Sequence, residues 1–211
     1  DNDMGPNTGG MGALAPNPFY TERAASECME RIFLPTIRAM NAEGRKFKGC
    51  LYFGLMLTND GPKVIEYNCR FGDPETQVVL PLLESDLFEI MLAVEDERLC
   101  DVPVRFQTGA ACCVVMASQG YPTKYGTGYE IALNDADRLK NVSVYHAGTK
   151  VEDGRLLTSG GRVLGVSAVA DTPRSAQRAA YDATGRIRFE NAFYRTDIGE
   201  RALKAIENKN A

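Results

Sequence analysis

Glu66, Asn68 and Arg70 stand two residues apart along one run, Lys63-Val64-Ile65-Glu66-Tyr67-Asn68-Cys69-Arg70. A carboxylate, a carboxamide and a guanidinium at that spacing could hold a divalent cation and a polyphosphate. Carboxylate and amide-carbonyl oxygens are hard ligands suited to Mg²⁺, which keeps waters and substrate phosphates as its other ligands. An arginine beside them offers a planar fork of donors to phosphate or carboxylate. Glu66 and Asn68 are therefore candidate metal ligands, and Arg70 a candidate catalytic group.

These groups work together only if one element aims them. Residues 63–68 read as a short strand, in which side chains alternate faces. Val64, Glu66 and Asn68 then share one face, while Ile65 and Tyr67 can pack inward on the other. If the extended run continues, Arg70 follows on the Glu66 side. In Gly72-Asp73-Pro74-Glu75, Asp73 suits an N-cap and Pro74 a first helical residue. A buried helix is expected over residues 76–83, its unpaired N–H groups favouring anions near the Glu66 face. Asp73 and Pro74 alone would be an ordinary helix start. A ligand pair, an arginine and a capped helix within a dozen residues are a more specific signal.

The run Arg70-Phe71-Gly72-Asp73-Pro74-Glu75-Thr76-Gln77 resembles the signature of the phosphoribosylamine–glycine ligase (glycinamide ribonucleotide synthetase) family, within the ATP-grasp superfamily. Other segments agree in order from about residue 3 to about residue 203. They include the loop Gly5-Pro6-Asn7-Thr8-Gly9-Gly10-Met11-Gly12, the stretch Gly61 to Asn68, His146-Ala147-Gly148-Thr149, Ser159-Gly160-Gly161-Arg162 and Phe193-Tyr194-Arg195-Thr196-Asp197.

The resemblance implies an α+β chain. Residues 1–103 would be the C-terminal part of an ATP-grasp domain with the metal site, and 104–204 a small α+β C-terminal domain. Residues 205–211 would be a tail. It implies ATP-dependent joining of glycine to 5-phosphoribosylamine through an acyl phosphate, in purine biosynthesis. Mg²⁺ or Mn²⁺ would be held by Glu66 and Asn68, with ATP as co-substrate. The loop residues Asn7, Thr8, Gly9, Gly10, Met11 and Gly12 would border the active site and touch substrate. Asp73 and Glu75 match signature positions, with two roles open: meeting the amine substrate or fixing the loop.

It further implies that this chain is the C-terminal half of the enzyme. The partner would be the missing N-terminal half, and the isolated half should not turn over. Many ATP-grasp enzymes carry a second acidic ligand on the strand before the hairpin; the equivalent here is Gly54. Two other readings stay open: an ATP-grasp ligase for a different carboxylate, and a non-catalytic ATP-grasp-like module.

The chain has 211 residues, 44% hydrophobic and 25% charged, with a net charge of −4. Those values suit one large or two small globular domains and speak against a general nucleic-acid or anionic-membrane binder. No apolar run reaches membrane-spanning length. The six cysteines show no CxxC pairing. Most lie in apolar patterns, so buried reduced thiols in a cytoplasmic protein are expected, with Cys69 turned sideways or inward.

The glycine loop lacks the Gly-Lys-Ser/Thr of a P-loop, and no strand precedes it as a dinucleotide fingerprint requires. Clustered glycines still let backbone N–H groups approach an anion. Residues 1–18 read as loop. Thr21 can cap a helix to about residue 41, with a kink at Pro35. Residues 50–57 suggest a strand buried on both faces, joined by Asn59-Asp60-Gly61 to the Glu66 strand. A helix after Ser85 would face inward with Leu87, Ile90, Met91 and Val94. Strands at 110–117, 143–146 and 163–170 and a helix over 173–189 follow, with a boundary near 104 and fraying after Lys204. His146, the only histidine, suits a structural role. Gly160-Gly161-Arg162 reads as a hairpin turn.

Overall fold

The computed structural model describes residues 1, 2 and 4–210. In chain order come β1 (Gly12–Ala15), α1 (Glu22–Cys28), a π turn (Met29–Phe33), α2 (Leu34–Ala42), β2 (Tyr52–Thr58), β3 (Gly61–Asn68), α3 (Thr76–Val79) and α4 (Leu87–Glu95). Then follow β4 (Ala110–Ser118), β5 (Val142–His146), β6 (Thr149–Glu152), β7 (Arg155–Thr158), β8 (Arg162–Ala170), α5 (Pro173–Thr184), β9 (Ala192–Phe193) and α6 (Glu200–Asn210). The chain divides into two compact units. One comprises Asp1–Pro16, Asp73–Leu82 and Gln107–Ala211, the other Asn17–Gly72 and Leu83–Phe106. The composition shift near residue 104 lies beside the last crossing between them.

The first unit is built on an antiparallel sheet of order β1-β4-β8-β5, with β9 also on β4. Every residue of β4 is buried, so both sheet faces are covered. Cys112 and Cys113 show how, because neighbours in a strand point to opposite faces. Alanines 176 and 180 of α5 join Cys112 and Val114 in the core. On the other face the Ser167 hydroxyl donates to the Gln77 carbonyl of α3 at 2.5 Å. Thr172 caps α5, accepting from the Ser175 amide, and Pro173 starts it. The helix stops at Thr184, five residues short of the expected 189, because Gly185 closes it. β1 corrects the reading of residues 1–18 as loop: four residues pair with β4 from Ala111 to Val114. The end of the chain, expected to fray after Lys204, continues as α6 to Asn210; Ala211 lies outside the described residues.

The second unit holds the β2–β3 hairpin, α1, α2 and α4. Thr21 accepts from the Ala24 amide and caps α1 as expected. The kink at Pro35 takes the form of the π turn before it. Leu34 N–H reaches back to Met29, and the Thr36 hydroxyl takes the Ile32 carbonyl at 2.7 Å. A ring nitrogen without a hydrogen forces such a rearrangement. The wider turn also re-phases the apolar stripe, burying Cys28 and Ile32 and leaving Met29 exposed.

β2 and β3 pair only with each other among the described residues. The expectation of β2 buried on both faces is therefore corrected: Met56 and Leu57 are exposed. Ile65 and Tyr67, expected inside, are 62% and 51% exposed. Gly54 pairs with Glu66 but Leu55 with Val64, so Ile65 is the extra residue of a bulge and leaves the alternation. Tyr67 instead lays its ring against Phe53, 5.2 Å between centroids. Asp86 caps α4, whose buried residue is Ala93; of the expected inner face, Met91 is exposed.

All six cysteines are free. Cys28, Cys112 and Cys113 are buried, Cys50 is half-buried, and Cys69 and Cys100 are exposed. Cys69 thus departs from the expected packing role. Burial pushes the Cys112 thiol up to about 12 and raises Cys113 as well. A thiol reagent at about pH 8 should label Cys69 and Cys100 first and leave Cys112 and Cys113 intact until the chain unfolds. Peptide mass mapping reads this; fast labelling of Cys112 in the folded chain would contradict it. No helix among the described residues is long and apolar enough to cross a membrane.

Candidate functional site

In the second unit, Glu66 and Asn68 converge. Both lie on β3 beyond the bulge, so strand alternation puts them on one face, and Asn68 Nδ2 donates to Glu66 Oε1 at 3.1 Å. Glu66 is exposed and Asn68 half-buried. Among the described residues, that bond leaves Glu66 Oε2 and Asn68 Oδ1 without a hydrogen-bond partner. A carboxylate and an amide carbonyl on one strand face are hard ligands suited to a divalent cation that draws its other ligands from water or phosphate. Among the described residues, no group of three or more His, Cys, Asp or Glu could hold a metal by themselves.

Gly54 lies opposite Glu66. A Cβ there would sit 2.8 Å from Glu66 Cγ. The glycine therefore clears the path of the Glu66 side chain, which gives the missing acidic residue at 54 a steric reason. Arg70 does not join the pair in the way its spacing suggests. It is exposed and Nη1 donates to the carbonyl of its neighbour Phe71 at 2.8 Å. The strand ends at Asn68, so alternation no longer aims residue 70.

In the first unit, the glycine loop is fastened by a residue whose role the sequence did not disclose. Arg162, the first residue of β8, donates from Nη1 to the carbonyls of Gly9 at 2.7 Å, Gly10 at 3.2 Å and Asp73 at 3.0 Å. Its Nη2 meets Asp73 Oδ2 at 2.8 Å. The other oxygen of Asp73 accepts from Gln77 Nε2 at 2.8 Å. Both carboxylate oxygens are thus engaged within the protein. This corrects Asp73 as a helix cap: α3 starts at Thr76 with Glu75 as its N-cap residue, and it has four residues before a 3₁₀ turn, Leu80–Leu82. A helix does start at Thr76, but it runs four residues before the 3₁₀ turn, so the continuous helix expected over residues 76–83 is broken up. The half-buried Glu75 closes the turn through its carbonyl, which accepts from Val78 and Val79.

The loop glycines are explained by close approach. At Gly10, φ is +96° and a Cβ would lie 2.7 Å from Pro74 Cδ; at Gly12 it would lie 2.6 Å from the Cys113 carbonyl. Gly9 N–H is taken by the Tyr121 hydroxyl at 3.2 Å, so it is not offered to an anion. Asn7, Thr8 and Met11 line a cavity of about 370 Å³, together with Tyr121, Phe193 and Arg195. Arg195 in turn holds Asp197 through two bonds of 2.7 Å, which keeps that carboxyl well below its ordinary range. Phe193 and Arg195 lie in the stretch Phe193 to Asp197, whereas no sequence signal marks Tyr121. His146, as expected, sits at the end of β5 in a structural bond to Thr149 at 3.1 Å.

Two family models match this chain. Residues 1–76 match the ATP-grasp (A) domain of phosphoribosylglycinamide synthetase, and residues 111–201 its C domain. The chain belongs to the phosphoribosylglycinamide synthetase family. Among curated relatives, it is 46% identical to the phosphoribosylamine–glycine ligase of Caldanaerobacter subterraneus, over 94% of this chain and 47% of that protein. It is 48% identical to the one from Rhodopirellula baltica, over 96% of this chain and 47% of that protein. The crystal structure of the Thermotoga maritima phosphoribosylamine–glycine ligase superposes with a TM-score of 0.79 at 36% identity, over 94% of this chain and 48% of that one. The chain spans about half the length of the curated relatives it matches. Its α+β architecture is that of the ATP-grasp portion and C domain of this family.

Proposed function

We propose that this chain is the C-terminal part of an ATP-dependent carbon–nitrogen ligase that joins glycine to 5-phosphoribosylamine, giving glycinamide ribonucleotide, ADP and phosphate. The observation that carries the proposal is the convergence of Glu66 and Asn68 in a chain of this family. A carboxylate is a poor electrophile. Transfer of the γ-phosphoryl group of ATP to glycine makes an acyl phosphate; the amine then attacks its carbonyl, loses a proton and expels phosphate. Such transfer depends on positioning and charge neutralisation more than on covalent help.

Glu66 and Asn68 would hold Mg²⁺ or Mn²⁺, which when bound supplies charge neutralisation to the phosphates. Arg70, exposed on the same unit, would neutralise the transferred group or orient a carboxylate. Asn7, Thr8 and Met11 line the cavity next to which we place a non-nucleotide substrate, with Gly9, Gly10 and Gly12 shaping the loop. For Asp73 and Glu75 the hydrogen bonds favour fixing the loop over meeting the amine. Six free cysteines are compatible with a reducing cytoplasm.

The test is an assay of the full-length ligase carrying this sequence. ADP release should require both glycine and 5-phosphoribosylamine, and mass spectrometry should find glycinamide ribonucleotide. ADP release driven better by another carboxylate would assign a different ligase.

A further inference from the structure

We propose that Arg162 is a positioning residue for the glycine loop, holding Gly9 and Gly10 against Asp73 and so presenting Asn7 and Thr8 to the cavity they line. One guanidinium joins three stretches of chain far apart in sequence, through three backbone carbonyls and one carboxylate. Its side chain is 22% exposed, so these bonds are partly shielded from water and stronger than surface pairs.

Glycines let the backbone at Arg162 and the neighbouring Tyr121 ring approach closely. A Cβ on Gly161 would lie 2.3 Å from the Tyr121 ring, and one on Gly148 would lie 2.5 Å from the Arg162 carbonyl. Tyr121, lodged against Gly161, then holds Gly9 from the other side through its hydroxyl. Gly161 is therefore a seat for the Tyr121 ring; the hairpin turn expected at Gly160-Gly161-Arg162 is not formed, because β7 pairs with β6 while β8 pairs with β4 and β5. Lysine could not replace the arginine, because one ammonium lacks the planar fork that reaches four acceptors.

The inference rests on the ligase reading only for its kinetic arm. In the 211-residue chain, R162K and R162A should speed amide exchange at Gly9 at least ~10-fold, while ladder amides of β4 and β8 change less than about threefold. In the full-length ligase, R162K should lower kcat/KM for glycine or 5-phosphoribosylamine by roughly 10–100-fold, with the KM for ATP within about twofold of wild type. Unchanged Gly9 protection in both variants would overturn the proposal. So would equal loss of loop and ladder protection in R162K, which would make the arginine a general stabiliser, or equal changes in KM for all substrates. An inactive wild-type enzyme with selective loop loosening in R162K would sink the ligase reading and uphold the positioning role.

Discussion

Replacing Glu66 by alanine in the full-length ligase should cut kcat by roughly 10²–10³-fold, the size of effect seen when one preorganised electrostatic group is removed from an active site. Glu66 is exposed and its one side-chain bond is to Asn68, so folding stability should change by no more than about 0.5 kcal/mol. The two readouts together separate a ligand from a structural residue. Glu66→Gln keeps the shape but removes the charge, and it should need more Mg²⁺ to reach half its maximal rate. Gly54→Ala should act in the same direction, since its Cβ would press on Glu66 Cγ from 2.8 Å. Steady-state rates across a Mg²⁺ titration, with thermal melts of each variant, check all three. Near-wild-type turnover in Glu66→Ala would favour a scaffold and remove this pair from the chemistry.

The 211-residue chain on its own should show no ligase turnover and no saturable ATP binding below about 1 mM, a binding free energy weaker than ~4 kcal/mol. The chain spans about half of its relatives, and the unit with the Glu66–Asn68 pair is thinly built. Its sheet has two strands and relies on helices packed against it, as where Phe33 meets Phe53 with 4.4 Å between ring centroids. Ile65, Tyr67, Met56 and Phe88 are all more than half exposed. An apolar groove of about 500 Å³ runs between residues of α2, Phe47, Leu51, Tyr67 and Cys69. Isothermal calorimetry with ATP, with and without Mg²⁺, is the measurement; micromolar affinity would show that this chain holds a complete nucleotide site.

The parts of this molecule that depend on local chemistry could be read from the residues. Thr21 caps its helix, Asn59-Asp60-Gly61 turns its hairpin, and Glu66 and Asn68 share a face because strand alternation survives from residue 66 onward. Alternation failed one residue earlier, at Ile65, because a bulge is a property of the pair and not of the strand. Burial failed for β2 because an apolar run states what a strand could bury, not whether a neighbour is there to cover it. The reach of Arg162 is hidden in the sequence for a related reason. Its partners lie 89 residues or more away in sequence, and nothing in Gly160-Gly161-Arg162 says which carbonyls will arrive. Asp-Pro so often begins a helix that Asp73 suits a cap; its carboxylate is taken instead by Arg162 and Gln77.

The threading of the chain has a practical corollary for anyone dissecting it. A scissile point chosen at the compositional seam near residue 104 would release a C-terminal piece without the Gly12–Ala15 strand, the Asp73 acceptor and the Thr76–Val79 turn, all of which the first unit draws from upstream. The edge of β4 that now pairs with β1 would be left open, and an uncovered edge invites pairing with other molecules. Deleting instead the excursions 17–72 and 83–106, and bridging each gap with a short linker, keeps every member of that sheet together.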